Sequence, residues 1–351
     1  MNHFVEIAGK KIGKAFAPYI VAELSANHCG SLDTALKAIE IAKESGADAI
    51  KLQTYTADSM TINCDKSDFK IKGGLWHGYS LHELYEKAHT PLEWHQALFN
   101  KAKEVGITLF STAFDESAVD FLVKLDTPAF KIASFELTDL SLIKYIAKTG
   151  KPMIMSTGMA NLSEIEEAVC TAKKSGCEDI ILLHCISSYP APIDQSNLKT
   201  LNDLSKRFGL VVGLSDHSLS NNVSVAAVAL GASFVEKHFI LNKDNNSPDS
   251  DFSIEPEDLK NLCLSTKEAW QALGQINYKQ TAAELDNVKF RRSIYFVADV
   301  KSGEYITKQH IRRIRPGFGL APKYFEQLIG RKASCDIDAG TPVSWHLLEK
   351  N

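Results

Sequence analysis

The sequence predicts a (β/α)8 TIM barrel followed by a small β-rich domain. Eight short apolar or β-branched runs recur between residues 19 and 238, and segments with helical spacing of apolar residues separate them. After residue 292 the pattern changes to short strands and glycine turns. A chain of 351 residues has room for one large and one small domain, so length and pattern agree.

The predicted strands are short and largely apolar, as expected for strands that are buried on both faces of a barrel wall. Before them, residues 4–13 alternate around an Ala-Gly-Lys-Lys turn and predict a hairpin that could plug the barrel. Several of the intervening helical segments end on the glycine expected just past a helix C-terminus. The eight strands are predicted at 19–24, 48–54, 107–112, 129–134, 152–157, 179–185, 210–216 and 233–238.

The predicted domain plan has three parts. Residues 1–275 hold the hairpin and the barrel, including a long insertion at 55–89 and a closing helix at 255–274. A polar segment, 276–292, is interpreted as a linker. Residues 293–351 form the β-rich domain, which contains two similar phrases, DVKSGEYI and DIDAGTPV. Long βα loops at a barrel mouth usually carry function, so the insertion is a candidate functional element.

A doubly wound open sheet is the alternative fold. That fold would place a glycine-rich phosphate loop after the first strand. The residues there are AELSANHCGS, which contain no GxGxxG motif. The barrel is therefore favoured.

Composition and charge point to a small-molecule partner and a cytoplasmic location. Lys and Arg number 39 against 43 Asp and Glu, and neither sign forms a long run, so nothing supports a nucleic-acid or membrane partner. The seven cysteines are scattered without a CxxC pair, which predicts reduced thiols. The first residues lack the apolar core of a signal peptide, and no run approaches the roughly 18 apolar residues of a membrane span.

Every predicted strand ends in polar residues. Barrel active sites lie at the C-terminal ends of the strands, so a ring of lysines, hydroxyls, histidines and carboxylates predicts a pocket for a charged ligand. These residues are Glu23, Lys51, Gln53, Ser111, Thr112, Lys131, Ser134, Ser156, Thr157, His184, Ser215, Asp216, His217, Glu236, Lys237 and His238.

Lys51 and Lys131 are the candidate anion-binding residues. Together with the serines and threonines, they suit a phosphate and a carboxylate carried on one small molecule. The alternative is structural, with a buried lysine paired to Glu23 or Glu136.

His217 and His238 end neighbouring strands and are candidate ligands of one divalent cation, although a lone histidine at either place is more often a structural hydrogen bonder. Ligation by histidine and oxygen favours Mn²⁺ or Mg²⁺, and Cys185 leaves a zinc site open. Glu23 is the candidate general acid or base.

Several loop residues admit two roles each. Asp249 and Asp251 either bind sugar hydroxyls or cap a helix, and Tyr189 either contacts substrate or packs its loop. Arg315 stands in the tight RPGFG turn, either exposed to solvent or presented to an active site.

Motifs along nearly the whole chain resemble the sialic acid synthase family. They are AELSANHCGS, KLQTYTADSM, FSTAFD, FKIASFEL, MSTGM, HCISSYPAP, GLSDHS, VEKHF and the terminal RPGFG region. The resemblance implies a metal-dependent barrel that condenses phosphoenolpyruvate with an N-acetylated amino sugar, followed by an antifreeze-like (SAF) domain.

Within that family, the insertion FKIKGGLWHGYSLHELYEKAHTPLEWH is similar to the pseudaminic acid synthase branch. This implies 2,4-diacetamido-2,4,6-trideoxy-L-altrose as the sugar, with N-acetylneuraminate or legionaminate synthesis as the alternative. Trp76, Leu75 and Tyr79 of the insertion are candidate packing partners for that sugar, or Trp76 anchors the loop.

The resemblance also implies a role for each site residue. Glu23 would be the catalytic carboxylate, and His217 and His238 would hold Mn²⁺ or Mg²⁺. The residues implied for phosphoenolpyruvate are Lys51, Thr112, Lys131, Ser134, Ser156, Ser187 and Ser215. Those implied for the sugar are Gln53, Tyr189, Asp249 and Arg315. Arg315 would reach the barrel of a partner subunit in a domain-swapped homodimer, and Ser187 replaces the Asn of the N-acetylneuraminate branch.

Two other functions fit parts of the sequence. A carbohydrate- or ice-binding protein would use the terminal domain, but it would not need two lysines, two histidines and a glutamate at barrel strand ends. An aldolase with Lys131 as a Schiff base would need no metal and would be trapped by borohydride in the presence of substrate.

Overall fold

Eight parallel strands close into a barrel, and at least one helix follows each of them along the chain. The structure, a computed structural model, describes residues 4–245 and 247–349. The strands of the larger unit are β1 (Val5–Ile7), β2 (Lys10–Ile12), β3 (Tyr19–Glu23), β4 (Ala49–Thr54), β5 (Thr108–Ala113), β6 (Phe130–Ile132), β7 (Met153–Ser156), β8 (Ile180–Cys185), β9 (Val211–Asp216) and β10 (Phe234–His238). The helices of that unit are α1 (Leu32–Glu44), α2 (Ala57–Met60), α3 (Leu81–Ala88), α4 (His95–Val105), α5 (Glu116–Lys124), α6 (Leu140–Ala147), α7 (Leu162–Lys174), α8 (Thr200–Phe208), α9 (Asn222–Ala229) and α10 (Pro256–Leu273).

The barrel runs in sequence order from β3 to β10, and β10 pairs with β3 to close it. Each observed strand lies within about one residue of its predicted range except β6, which is shorter. The predicted fold class, a TIM barrel followed by a small β-rich domain, is confirmed.

A hairpin seals the N-terminal end of the barrel. Strands β1 and β2 pair antiparallel, and Val5, Ile7 and Ile12 are fully buried. They belong to the same apolar cluster as the inward-facing residues Val21 and Phe234 of the barrel. Since this end is filled by apolar side chains, a polar ligand has room only at the opposite end.

Side chains inside the barrel change from apolar to polar along the strands. In β3, Val21 belongs to the apolar cluster, while Glu23 lines a cavity at the C-terminal end. In β10, Phe234 likewise belongs to the apolar cluster, and Glu236 lines the cavity at the C-terminal end. Because residues two apart in a strand face the same side, this change places charged groups in one layer at the mouth.

The barrel interior is narrow enough to require a glycine in β9. A Cβ at Gly213 would lie 2.3 Å from the backbone oxygen of Phe234 and 2.7 Å from Cδ2 of Leu183. Both distances are below van der Waals contact, so this position depends on the close approach that glycine allows.

The predicted insertion after β4 forms α2, α3 and an irregular segment between them. A capping box of Ser80 and Glu83 begins α3. The indole Nε1 of Trp76 donates a hydrogen bond of 3.0 Å to the carbonyl oxygen of Pro248, in the loop after β10. Trp76 therefore anchors the insertion to the mouth of the barrel.

The second compact unit comprises residues 275–351. Its elements are β11 (Ser293–Phe296), β12 (Ile311–Ile314), α11 (Phe325–Leu328) and three 3-10 helices, Ala282–Phe290, Pro322–Tyr324 and Trp345–Leu347. The first of these 3-10 helices lies within the segment interpreted as a linker. Strands β11 and β12 pair antiparallel, and isolated bridges join other extended segments. Ile294, Phe296 and Val343 are fully buried in its own apolar core, so the unit has the core expected of a small domain.

No helix within the described parts of the chain is long and apolar enough to cross a membrane.

Candidate active site

The inward-facing polar residues at the strand ends converge on one small cavity of about 50 Å³. It contains most of the residues that the sequence singled out, together with Ala133 and Phe135, which the sequence analysis did not name. The lining residues are Glu23, Lys51, Gln53, Thr112, Lys131, Ala133, Ser134, Phe135, Ser156, Cys185, Tyr189, Ser215, His217, Glu236 and His238.

Two lysines and two glutamates form an ion cluster at the base of this cavity. Lys51 Nζ lies 2.6 Å from Glu23 Oε2 and 3.6 Å from Glu236 Oε1. Lys131 Nζ lies 3.9 Å from the same Glu236 oxygen. All four side chains are at most 6% exposed. The structural alternative for Lys51, a pair with Glu23, is thus present in this structure, and it is compatible with anion binding because the lysines border an open cavity.

The two carboxylates of the cluster are not equivalent. Burial raises the pKa of Glu23 to about 7, with Lys51 opposing the shift and Glu236 adding to it. Burial also favours a higher pKa for Glu236, but the charges of Lys131 and Lys51 outweigh burial and lower the pKa of that carboxyl. Near neutral pH, Glu23 is therefore the group that can either hold or release a proton.

Hydroxyl groups lie beside the two lysines. Lys51 Nζ donates to Thr112 Oγ1 at 3.1 Å, and Lys131 Nζ donates to Ser156 Oγ at 2.7 Å. Ser215 Oγ donates to Glu236 Oε1 at 3.2 Å. Fixed ammonium groups with adjacent hydroxyls are the arrangement expected for phosphate and carboxylate groups.

Ser134 and Ser187 meet at Gly158, in the loop after β7. The Gly158 amide donates to Ser134 Oγ at 3.1 Å. A Cβ at Gly158 would lie 2.2 Å from Ser187 Oγ and 2.7 Å from Ser134 Oγ. Glycine at this position leaves room for both hydroxyls, of which Ser134 lines the cavity and Ser187 does not.

The two histidines lie side by side at the mouth. Their ring centroids are 5.4 Å apart. His217 Nδ1 lies 3.0 Å from the carbonyl oxygen of Ile186, which can only accept, so Nδ1 carries the proton and Nε2 remains available. His238 Nδ1 is buried without a hydrogen-bond partner and lies 3.6 Å from Asp249 Oδ2.

This pair fits a divalent cation whose remaining ligands are water or substrate. Burial, together with the charges of His217 and Lys51, lowers the pKa of His238 and keeps its ring neutral, which is the form that binds metal. Among residues 4–245 and 247–349, no group of three or more His, Cys, Asp or Glu side chains could hold an ion. An open coordination shell is typical of a catalytic rather than a structural ion.

The three barrel residues predicted to face the sugar lie around the same mouth. Gln53 Nε2 donates to Glu23 Oε1 at 2.9 Å. Tyr189 packs against His217, with 4.4 Å between the two ring centroids. Asp249 is buried and makes no side-chain cap on the 3-10 turn after it, so the capping alternative is not seen. Asp251, by contrast, is exposed.

Five strand-end residues named by the sequence are absent from the lining of this cavity, and the alternation of side chains explains why. Ser111 bonds to Thr54, and His184 bonds to the carbonyl oxygen of Ser196. The other three residues are Thr157, Asp216 and Lys237.

Asp216 and Lys237 form a buried ion pair of 2.9 Å, next in sequence to the two histidines. Lys237 Nζ also donates to the carbonyl oxygen of Ser218, and Asp216 accepts from the Ser218 amide. The pair therefore ties down the strand ends that carry His217 and His238.

Glu236 is the site residue to which the sequence assigned no role. The signal was present, because Glu236 and His238 stand two apart in FVEKH and must face the same side of the strand. Cys185, considered only as a zinc ligand, also lines the cavity, with Sγ 3.7 Å from His217 Nδ1.

Arg315 lies in the smaller unit, exposed, in the loop after β12. Ser293 Oγ donates to the carbonyl oxygen of Pro316 at 2.6 Å and accepts from the Gly319 amide at 2.9 Å. These contacts hold the turn that carries the guanidinium.

The chain is similar to known proteins over most of its length. A model of the NeuB family matches residues 38–278, and a SAF domain model matches residues 291–349. A pseudaminic acid synthase from Campylobacter jejuni is 47% identical over 322 residues, 92% of this chain and 94% of that protein. One from Helicobacter pylori is 42% identical over 335 residues, covering 95% and 98%.

A solved structure has the same architecture. N-acetylneuraminic acid synthetase from Leptospira borgpetersenii, in complex with citrate, superposes with a TM-score of 0.74 at 30% identity. The match covers 82% of this chain and 96% of that one. Family model, relatives and structure agree with the resemblance that the motifs indicated, and the chain belongs to the NeuB family, with a SAF domain after its barrel.

Proposed function

We propose that the chain is a pseudaminic acid synthase that condenses phosphoenolpyruvate with 2,4-diacetamido-2,4,6-trideoxy-L-altrose and releases phosphate, for the synthesis of surface glycans. One observation carries the proposal: two buried lysines, backed by hydroxyls, share a cavity with a protonatable glutamate and two histidines. The similarity to pseudaminic acid synthases at 42–47% identity supports the choice of sugar.

Phosphoenolpyruvate binds on the lysine side of the cavity in this proposal. Its phosphate and carboxylate are neutralised by Lys51 and Lys131, which exchange part of their pairing with Glu23 and Glu236 for the ligand. The hydroxyls that surround the two anionic groups are those of Thr112, Ser134, Ser156, Ser187 and Ser215.

His217 and His238 hold Mn²⁺ or Mg²⁺, with water or the sugar as further ligands. When bound, such an ion supplies Lewis-acid polarisation of a carbonyl oxygen. The protein's part is to keep the His238 ring neutral and to bind Nδ1 of His217 to the Ile186 carbonyl, which leaves Nε2 of His217 free to face the ion.

The chemistry assigned to the chain's own residues is positioning and proton transfer. C3 of phosphoenolpyruvate attacks the aldehyde carbon of the open-chain sugar, and Glu23 gives a proton to the oxygen that develops there. Water then adds at C2 and returns a proton to the Glu23 carboxylate, and phosphate leaves by cleavage of the C2–O bond with the remaining hydroxyl proton, so that C2 becomes a carbonyl. Gln53, bonded to Glu23, holds that carboxyl in place.

The sugar lies against Gln53, Tyr189 and Asp249 in this proposal, and Arg315 comes from the partner subunit of a domain-swapped homodimer. Mixing Arg315→Ala chains with Glu23→Gln chains is expected to restore activity, because one barrel of each mixed dimer then has both groups. Neither variant alone should be active, and a mixture as inactive as its parts would contradict the exchange.

We further propose a cytoplasmic location. All seven cysteines are free thiols in the structure, consistent with a reducing compartment.

The substrate is tested by measuring phosphate release from phosphoenolpyruvate with Mn²⁺. The purified protein is offered the diacetamido-trideoxy-altrose, N-acetylmannosamine and the legionaminic acid precursor separately, each with and without EDTA. We expect turnover of the altrose sugar alone, lost with the chelator. Turnover of another sugar would make the chain an N-acetylneuraminate or legionaminate synthase, and no release from any sugar would overturn the enzyme assignment.

A further inference from the structure

A second cavity, of about 480 Å³, adjoins the small one. Five residues border both cavities, Gln53, Ala133, Phe135, Tyr189 and His238, so the two spaces lie side by side. The small cavity is far below the roughly 300–1,000 Å³ of ordinary ligand pockets, whereas the large one falls within that range. A sugar whose aldehyde reaches Glu23 must therefore extend into the large cavity.

The wall of the large cavity is mainly apolar, and the insertion supplies much of it. The insertion residues that line it are Tyr55, Met60, Ile71, Trp76, Leu81, Leu84, Tyr85 and Ala88. Leu75 and Tyr79, the other candidate packing residues, are exposed and do not line it. Within this wall, Tyr55 packs edge-on against both Tyr85 and Phe114, at 5.8 and 5.1 Å between ring centroids. Such a wall suits a methyl-bearing group and disfavours a hydroxyl.

One carboxyl group interrupts this apolar wall. Glu136 lines the cavity, and its Oε2 is buried without a hydrogen-bond partner. Burial raises the pKa of Glu136 to about 7, with the charge of Lys131 opposing the shift. Glu136 also raises the pKa of Tyr85 beyond the effect of burial, which places the carboxyl close to the aromatic wall. A buried acceptor without a partner is costly unless a ligand supplies the donor.

An acetamido group has both features that this cavity requires. Its N–H can donate to the unpartnered carboxyl oxygen, and its methyl group can fill apolar space. In the proposed sugar, the C2 acetamido group is attached next to the reacting aldehyde carbon, whereas the C4 group lies two carbons further along the chain. Of the two acetamido groups, the C4 group is the one farther from the reacting carbon, so it is the one that extends further into the large cavity.

We propose that the cavity beside the catalytic cluster is a subsite for the C4 acetamido group of the sugar. Glu136 accepts the amide N–H, and Leu84, Tyr55 and Tyr85 enclose the methyl group. This rests on the proposed function and assigns substrate selection to the insertion and the turn after β6.

The test compares Glu136→Leu with Glu136→Gln, using two sugars. One is the diacetamido substrate, and the other carries a hydroxyl at C4. With Glu136→Leu, kcat/KM for the diacetamido sugar should fall about 10- to 100-fold, since the amide N–H is left unpaired. The value for the C4-hydroxyl sugar and the KM for phosphoenolpyruvate should change little. Glu136→Gln keeps an acceptor oxygen and should retain most of the activity.

Glu178→Leu, at an exposed position, is the matched control. A second variant, Leu84→Trp, should reduce use of the diacetamido sugar by filling the cavity, with folding checked by circular dichroism. An equal loss for both sugars, or no loss with Glu136→Leu, would overturn the subsite. Failure of the wild-type protein to use the diacetamido sugar would instead overturn the proposed function, so the two failures are distinguishable.

Discussion

Replacing His217 by alanine should reduce phosphate release to the rate measured without cation. His217 and His238 are two imidazoles at one mouth, and no further His, Cys, Asp or Glu side chain in the described chain completes a protein ligand set with them. Loss of one of the two proposed ligands would leave the ion to water and substrate, so binding should fail as well as turnover.

The effect of His217→Ala is measured in two ways: steady-state phosphate release over a range of Mn²⁺ concentrations, and calorimetric titration of Mn²⁺ into the protein. His346→Ala, at an exposed histidine of the smaller unit, serves as the control and should behave as wild type. Undiminished activity of His217→Ala would show that His217 is not a ligand.

Replacing Glu23 by glutamine should lower kcat by about 10²- to 10⁴-fold, the usual contribution of a positioned acid or base. Glutamine preserves the shape of the side chain but cannot exchange a proton at neutral pH. Lys51 keeps Glu236 as a partner at 3.6 Å, so the fold and the KM for phosphoenolpyruvate should be largely preserved.

The pH dependence of kcat provides a separate test of the role of Glu23. Its pKa is raised to about 7, so the protonated fraction falls as pH rises through that value. If proton donation by Glu23 limits the rate, kcat should fall over the same range, and this limb should vanish in Glu23→Gln. The opposite slope would identify Glu23 as a base. Glu166→Gln, at an exposed position on α7, controls for loss of a carboxylate.

Much of the fold could be predicted because its signals are local. Buried strands read as continuous apolar runs, and the eight predicted runs appear as β3 to β10. The hairpin was also visible, as an alternating pattern around a short turn. The 3-10 helix Ala282–Phe290 was missed, because a short, exposed and polar element carries no apolar periodicity.

For the site, sequence reasoning found the strand ends but not which of their side chains face inward. The pairs Ser215 and Asp216, and Glu236 and Lys237, are adjacent in sequence, yet only the first of each lines the cavity. The sequence of a strand end does not reveal which of two adjacent side chains faces the barrel interior, so residues on both faces were named. Asp216 and Lys237 instead neutralise one another behind the histidines.

The sequence by itself determined the barrel, the chemistry of its mouth and the family resemblance, because each of these depends on patterns within short segments of the chain. Only the tertiary structure decided that Glu236 joins the two lysines, and that Glu136 faces a cavity walled by a distant insertion. Those relations depend on barrel closure and loop packing, which bring together side chains separated by 50 to 200 residues. No local pattern encodes such distances, and the pKa values that follow from burial could be assigned only once the chain was folded.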